Sequence, residues 1–296
     1  MDNFANGIII KAISGFYYVE TEDKIIECKA RGKFRNDGIS PLVGDYVQVE
    51  VNGAKGSVSK IYDRKNQLDR PSVANIDKLF IISSLSVPSP NALIIDRLTA
   101  LCEYKNITPI VVFNKSDLAP INDWQDIYKR AGIKVIITSA VNNEGIDGIK
   151  RELSDSVSVF TGNSGVGKSS IINCLFPTLK LATADISNKL GRGRHTTRHC
   201  ELFKHEYGGY VADTPGFSSL EADINDIDFK NSLADCFIDF SDYSPNCRFS
   251  DCAHIGEKGC AVCDAVSFGK IQPSRYESYK QLYDEMKNIK EWNIKK

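Results

Sequence analysis

Gly162-Asn163-Ser164-Gly165-Val166-Gly167-Lys168-Ser169 stands between a short apolar, β-branched run (Val157, Val159, Phe160) and an apolar-periodic segment that opens with Ile171 and Ile172. No other stretch limits the fold so tightly. The octet is G-x-x-x-x-G-K-S with a strand before it and a helix after it, the context that this pattern requires. Glycines let the backbone turn until successive N–H groups point inward at phosphate oxygens, and the helix start adds positive potential. Lys168 is expected to reach the outer phosphates of a nucleotide and Ser169 to ligate Mg²⁺, with Ser170 counted in the same cradle.

Around this loop the chain has room for about two or three domains in its 296 residues. Its formal net charge is −1, so any nucleic-acid binding must rest on local patches. No apolar run approaches the roughly 18 residues of a membrane span, and MDNFANGIII lacks a basic leader. A cytoplasmic protein is expected. Four of the nine cysteines fall within Cys247–Cys263 beside His254, which in such a compartment argues for metal rather than disulfides.

Residues 1–68 are dense in short strand signals at Gly7–Ile13, Phe16–Glu20, Ile25–Lys33 and Tyr46–Val51, with no helical period. Their number and size fit a small barrel of the OB type. Lys29, Arg31, Lys33 and Arg35 recur at a spacing of two and would share one face of an extended strand. Such a face can track a phosphate backbone, with Phe16, Tyr17, Tyr18 and Phe34 as stacking surfaces, or it is an ordinary solvated barrel face.

Residues 69–223 alternate strands and helices: apolar runs at Leu79–Leu85, Pro109–Phe113 and Val135–Thr138, helical segments at Ile94–Tyr104, Trp124–Ala131 and Ile146–Leu153. The alternation predicts a parallel sheet with helices on both faces and ligands at the carboxyl ends of its strands. Asn114-Lys115-Ser116-Asp117 follows one strand as N-K-x-D. A carboxylate at Asp117 accepts from the guanine N1–H and N2–H₂, a donor pair that adenine lacks, so ATP is disfavoured. Lys115 would cover the ring and Asn114 tie the loops together. Ser139-Ala140 closes the next strand and resembles the loop whose N–H meets the guanine carbonyl oxygen. After the phosphate loop, Leu181–His199 is polar and Arg-rich and carries Thr196 and Thr197, either of which could ligate Mg²⁺ when a γ-phosphate is present. Asp213-Thr214-Pro215-Gly216 then gives D-x-x-G, with a carboxylate near the metal and the Gly216 N–H near the γ-phosphate. Guanine nucleotide-binding domains usually begin with the phosphate loop. Here N-K-x-D and S-A come first, so the domain reads as a circular permutation, acceptable because each motif keeps its own strand and domain termini are often close.

Residues 224–296 are helical in texture with a cysteine-rich insert. Cys247, Cys252, His254 and Cys260 supply the four ligands of a closed tetrahedral Zn²⁺ site, and on spacing Cys247, Cys252, Cys260 and Cys263 compete almost equally. Ser274 with Glu277 three later predicts a capped helix start, and Tyr276, Tyr279, Tyr283 and Met286 form a stripe expected to pack into a core.

The order of motifs, between a β-rich beginning and a Cys/His-rich tail, resembles the circularly permuted GTPases called RsgA, YjeQ or YloQ over essentially the whole chain. The resemblance implies an OB-fold, a permuted GTPase domain and a zinc-binding helical domain. It also implies GTP hydrolysis stimulated by the small ribosomal subunit, and a role in late maturation of that subunit through contacts with its rRNA. It favours His254 over Cys263 as zinc ligand and Thr197 as the Mg²⁺ threonine. The position after D-x-x-G, where Ras-type enzymes carry a water-orienting glutamine, is Phe217 here. His195 then becomes the candidate to orient or deprotonate the attacking water, unless it is only a polar loop residue. A monomer with no membrane association is expected. Two other readings remain: a regulatory GTPase whose protein partner lies outside the ribosome, and a zinc-dependent nucleic-acid-binding module whose nucleotide site is structural.

Overall fold

The structure, a computed structural model, describes residues 4–32, 34, 38–69, 72–177, 200–213 and 227–287. Lys33, Arg35, His195, Thr196, Thr197, Gly216 and Phe217 lie outside the described residues, and Asp213 is described as backbone only. The chain divides into two compact units, Met1–Lys78 with Lys150–Phe160 and Phe176–Ser219, and Leu79–Ile149 with Thr161–Leu175 and Leu220–Lys296.

The first unit opens with five strands, β1 (Phe4–Ile13), β2 (Phe16–Thr21), β3 (Ile25–Ala30), β4 (Tyr46–Asn52) and β5 (Lys55–Ile61). They pair in the order β1-β2-β3-β5-β4, and β4 returns to β1 to close the ring. Every pairing is antiparallel except β3 with β5, the pattern of an OB-type barrel. Alternation places Ile9, Val19, Ile26, Val47, Val49 and Val58 inside, each 1% exposed or less. A short ribbon of β6 (Gln67–Asp69) and β7 (Ser72–Ala74) follows. The same unit holds β11 (Ser156–Thr161), β12 (Glu201–Lys204) and β13 (Gly209–Asp213). β13 runs parallel to β11 and antiparallel to β12, and β12 meets β1 at Lys11↔Glu201.

The second unit contains β8 (Lys78–Ser84), β9 (Thr108–Asn114) and β10 (Lys134–Ile137) side by side in the order β10-β9-β8. β9 and β10 are parallel, and the near-continuous burial of β8 and β9 is what a sheet covered on both faces requires. Around them stand α1 (Ala92–Tyr104), α2 (Trp124–Arg130), the first half of α3 (Ile146–Leu153) and α4 (Lys168–Leu175). The cysteine-rich tail adds α5 (Ile227–Asn231), two 3₁₀ turns, α6 (Ala261–Ser267) and α7 (Pro273–Met286). Tyr279 and Met286 lie in its core with Phe229, Phe237 and Phe240, and Tyr276 and Tyr283 pack against it. Among the described residues no helix is long and apolar enough to cross a membrane.

Three local expectations change. β3 ends at Ala30 rather than Lys33, and Phe34 is helical, so Lys29 lies on the strand and Arg31 beyond its end. Phe34 is 5% exposed, a core residue and not a stacking surface. Ser274 does not cap α7. The helix begins two residues earlier than that cap would set, at Pro273, whose fixed φ suits the first helical position, with Gln272 as the cap residue.

Candidate nucleotide site and metal centre

β11 is buried along its whole length and delivers the chain to the phosphate loop. Val166, 3% exposed, anchors the loop in the core, whereas Asn163, Ser164, Gly165, Ser169 and Ser170 are exposed; Gly162, Gly167 and Lys168 are partly buried. α4 starts at Lys168. Two glycines are dictated by space. A Cβ on Gly167, at φ +93°, would lie 2.2 Å from Asn114 Nδ2, and one on Gly162 would lie 2.5 Å from the Ile82 carbonyl oxygen.

Asn114 explains the first of these. It is 2% exposed, its Nδ2 donates to the Val166 carbonyl at 3.0 Å, and its Oδ1 accepts from Thr138 Oγ1 at 3.1 Å and from the Ala140 N–H at 3.2 Å. One buried amide, with three hydrogen bonds, thus joins the N-K-x-D turn, the phosphate loop and the S-A loop. Lys115 adopts the left-handed region (φ +66°) and its Nζ donates to the Val87 carbonyl at 2.6 Å. Asp117 is exposed, and its Oδ1 accepts from the buried Ser139 Oγ at 2.6 Å. That bond orients the carboxylate on a rigid support, since Ser139 also exchanges backbone bonds with Glu144 at 3.1 and 3.0 Å. Asp213 closes β13 with its Cα opposite Glu201 of β12.

In the tail, the ligand atoms of Cys247, Cys252, His254 and Cys260 all lie within 4.8 Å of one another. His254 Nδ1 is 3.5 Å from Cys247 Sγ and 3.4 Å from Cys260 Sγ, and those two sulfurs are 4.0 Å apart. A tetrahedron with Zn–S bonds of about 2.3 Å and a Zn–N bond of about 2.0–2.1 Å has S···S edges of about 3.8 Å and S···N edges of about 3.5 Å. The three distances fit. Cys263 stands outside the cluster, with its Sγ 3.3 Å from Tyr276 Oη and its N–H donating to Cys260 Sγ at 3.4 Å. Burial lowers the His254 imidazole pKa and pushes the Cys260 thiol up, so a divalent cation is the partner that would hold these sulfurs as thiolates. Around the cluster, Glu257 accepts from the Ala253 and Ile255 N–H groups at 3.0 and 2.9 Å, and Tyr279 Oη donates to the Ala253 carbonyl at 2.5 Å. These bonds fix the ligand loop.

One buried cluster has no signature in the sequence. Arg275 on α7, 1% exposed, donates to both oxygens of Asp239 at 2.9 and 2.7 Å and to Asp96 Oδ1 on α1 at 2.8 Å. Its guanidinium lies over Phe237 and Tyr128 at 5.2 and 5.9 Å. A single arginine in a polar helix carries no motif, so only the fold reveals that α7 is pinned to α1.

Comparison with known proteins agrees with this geometry. Residues 61–223 match the family described as RsgA GTPase, and residues 6–58 match the RsgA N-terminal domain. A protein of Caldanaerobacter subterraneus named "Small ribosomal subunit biogenesis GTPase RsgA" is 46% identical over 285 residues, 95% of each chain. One of Geobacillus thermodenitrificans with the same name is 45% identical over 293 residues, 97% of this chain and 99% of its own. The crystal structure of YjeQ from Thermotoga maritima superposes with a TM-score of 0.83 at 34% identity, covering 97% of this chain and all of that one. That of YloQ, described as a circularly permuted GTPase, gives 0.80 at 36% identity, covering 97% and 96%. With the barrel, the permuted order of motifs and the Cys/His cluster all in place, the chain belongs to the RsgA family of GTPases.

Proposed function

We propose that this GTPase binds the small ribosomal subunit, acts in its late maturation, and hydrolyses GTP to GDP and phosphate when the subunit stimulates it. The observation that carries the nucleotide part is the Asn114 junction, which brings the base-reading turn and the phosphate cradle to one place with a single buried amide. In this reading Asp117 accepts from the guanine N–H groups, Lys115 covers the ring, and Ser139 and Ala140 shape the base pocket. The backbone from Gly162 to Gly167 receives the phosphates and Lys168 neutralises them. Ser169 and Thr197 would hold Mg²⁺, with Asp213 and Gly216 completing that side, and the bound ion would supply positive charge against the phosphates. His195 would orient the attacking water. One structural Zn²⁺ on Cys247, Cys252, His254 and Cys260 would fasten the tail.

The names of the relatives support the ribosomal part. Lys29, 5.0 Å from the Phe16 ring, and Arg31, paired with Glu50, are the described members of the basic set proposed to meet rRNA, together with Lys33 and Arg35. Along the sequence the proposed domains are 1–68, 69–223 and 224–296, in a monomer working in the cytoplasm. GTP turnover with and without purified small subunits tests the reading. A several-fold rise is expected on adding subunits; unchanged turnover favours the alternative of a regulatory GTPase with a partner outside the ribosome.

A further inference from the structure

β12 and β13 form a short antiparallel ribbon, and β13 ends on Asp213, the first residue of D-x-x-G. β13 is held on one side by β11, at four parallel positions, and on the other by β12, whereas β12 has beyond β13, among the described residues, only one paired position, on the barrel strand β1. That position ties the ribbon to the barrel. Lys11 of β1 faces Glu201 of β12, and Glu201 faces Asp213, so the three Cα positions form one row across three strands. Side chains reinforce the row. Lys11 Nζ lies 2.7 Å from Glu201 Oε2, and Tyr210 Oη on β13 donates to Glu20 of β2. Burial, and then Glu20 itself, push the Tyr210 hydroxyl far above its ordinary pKa and keep it a donor. Lys204 Nζ also lies near this carboxylate, 3.6 Å from Glu20.

We infer that Lys11–Glu201 and Glu20–Tyr210 are positioning pairs that tie β12 and the D-x-x-G strand β13 to the barrel, so that the barrel's engagement with RNA is passed to Asp213 for hydrolysis. This inference rests on the GTPase reading above. Neither pair belongs to the nucleotide-binding motifs; each acts through β12 or β13. The test uses the full chain and purified small subunits, with turnover, nucleotide affinity and subunit binding measured separately. Glu201→Gln removes the ion pair without removing a cation from the barrel. Its basal turnover and subunit affinity should stay within about twofold of wild type, and subunit stimulation should fall about tenfold or more. The exchanged pair Lys11→Glu with Glu201→Lys should recover most of that stimulation, which a merely structural loss would not do. Full stimulation of Glu201→Gln, loss of its subunit binding, or failure of the exchanged pair to recover each overturns the inference. A wild-type protein that subunits do not stimulate overturns the GTPase reading first, and this inference with it.

Discussion

Asp117 is held by Ser139 Oγ at 2.6 Å, so its carboxylate meets a ligand already oriented. Asp117→Asn places an amide donor where guanine also presents donors, leaving polar groups unpaired. GTP affinity should fall about a hundredfold, corresponding to ~2.7 kcal/mol, in a fluorescent-nucleotide titration. Arg275 is a second residue whose environment sets the outcome. Arg275→Met would leave Asp96 and Asp239 buried without their cation, and breaking a buried ion pair from one side costs about 3–5 kcal/mol. Denaturant unfolding should show that loss, while Glu277→Gln, on the exposed face of the same helix, should move stability by less than about 0.5 kcal/mol. The two residues differ in legibility. Asp117 declares itself because its chemistry needs fixed neighbours in sequence, whereas Arg275 finds Asp96 179 positions away, and nothing local marks either.

At the scale of elements, the ligand loop between Cys247 and α6 contains no helix or strand, the 3₁₀ turn Ser244–Asn246 ending just before it, so a bound metal would supply much of its folding free energy. Cys247→Ser should lower the melting temperature and the zinc content together. Cys263→Ala should keep the metal and His254→Ala lose it, measured by metal analysis of the purified variants; the reverse pattern would move the site to four thiols. For β3, the end of the strand at Ala30 leaves Lys29 and Arg31 as separate cations on and just beyond it. Neutralising both should flatten the dependence of subunit affinity on log salt by roughly 0.7–0.9 for each phosphate that these cations neutralise in the wild type. An unaltered slope would return them to a solvated face. The spacing of four cations suggests a longer strand because alternation is only a local signal. Phe34 overrides it by turning into the core, a tertiary preference that spacing cannot carry.

For the whole molecule, motif order is enough to identify the permutation, because each motif is tied to a strand end and strand ends are legible as apolar runs. Observed bounds differ from those runs by one residue at each end in β8, β9 and β10. Long-range pairings are not legible: neither the row Lys11–Glu201–Asp213 nor the closure of β4 on β1 leaves a trace in spacing. Permutation also places D-x-x-G directly before the cysteine-rich tail in the chain, where movement of a switch would be felt first. His195→Ala should abolish subunit-stimulated hydrolysis while leaving GTP affinity and subunit binding nearly intact; full stimulation would shift suspicion to a group supplied by the ribosome.

The junction of β1 with β12 also bears on how the chain assembles as it is synthesised. The barrel strands are all in hand by Ile61, and its closure needs nothing later. Glu20 and Tyr210, by contrast, are 190 positions apart. The entropy of joining such distant points grows only logarithmically with their separation, but the search is slow and is exposed to error while it lasts. A finished barrel would therefore offer β1 as a ready edge for β12 when the last strands arrive. Substitutions that loosen the barrel core, such as Val19→Ala or Val49→Ala, should then lower the yield of nucleotide-competent protein on refolding by more than their cost in equilibrium stability accounts for.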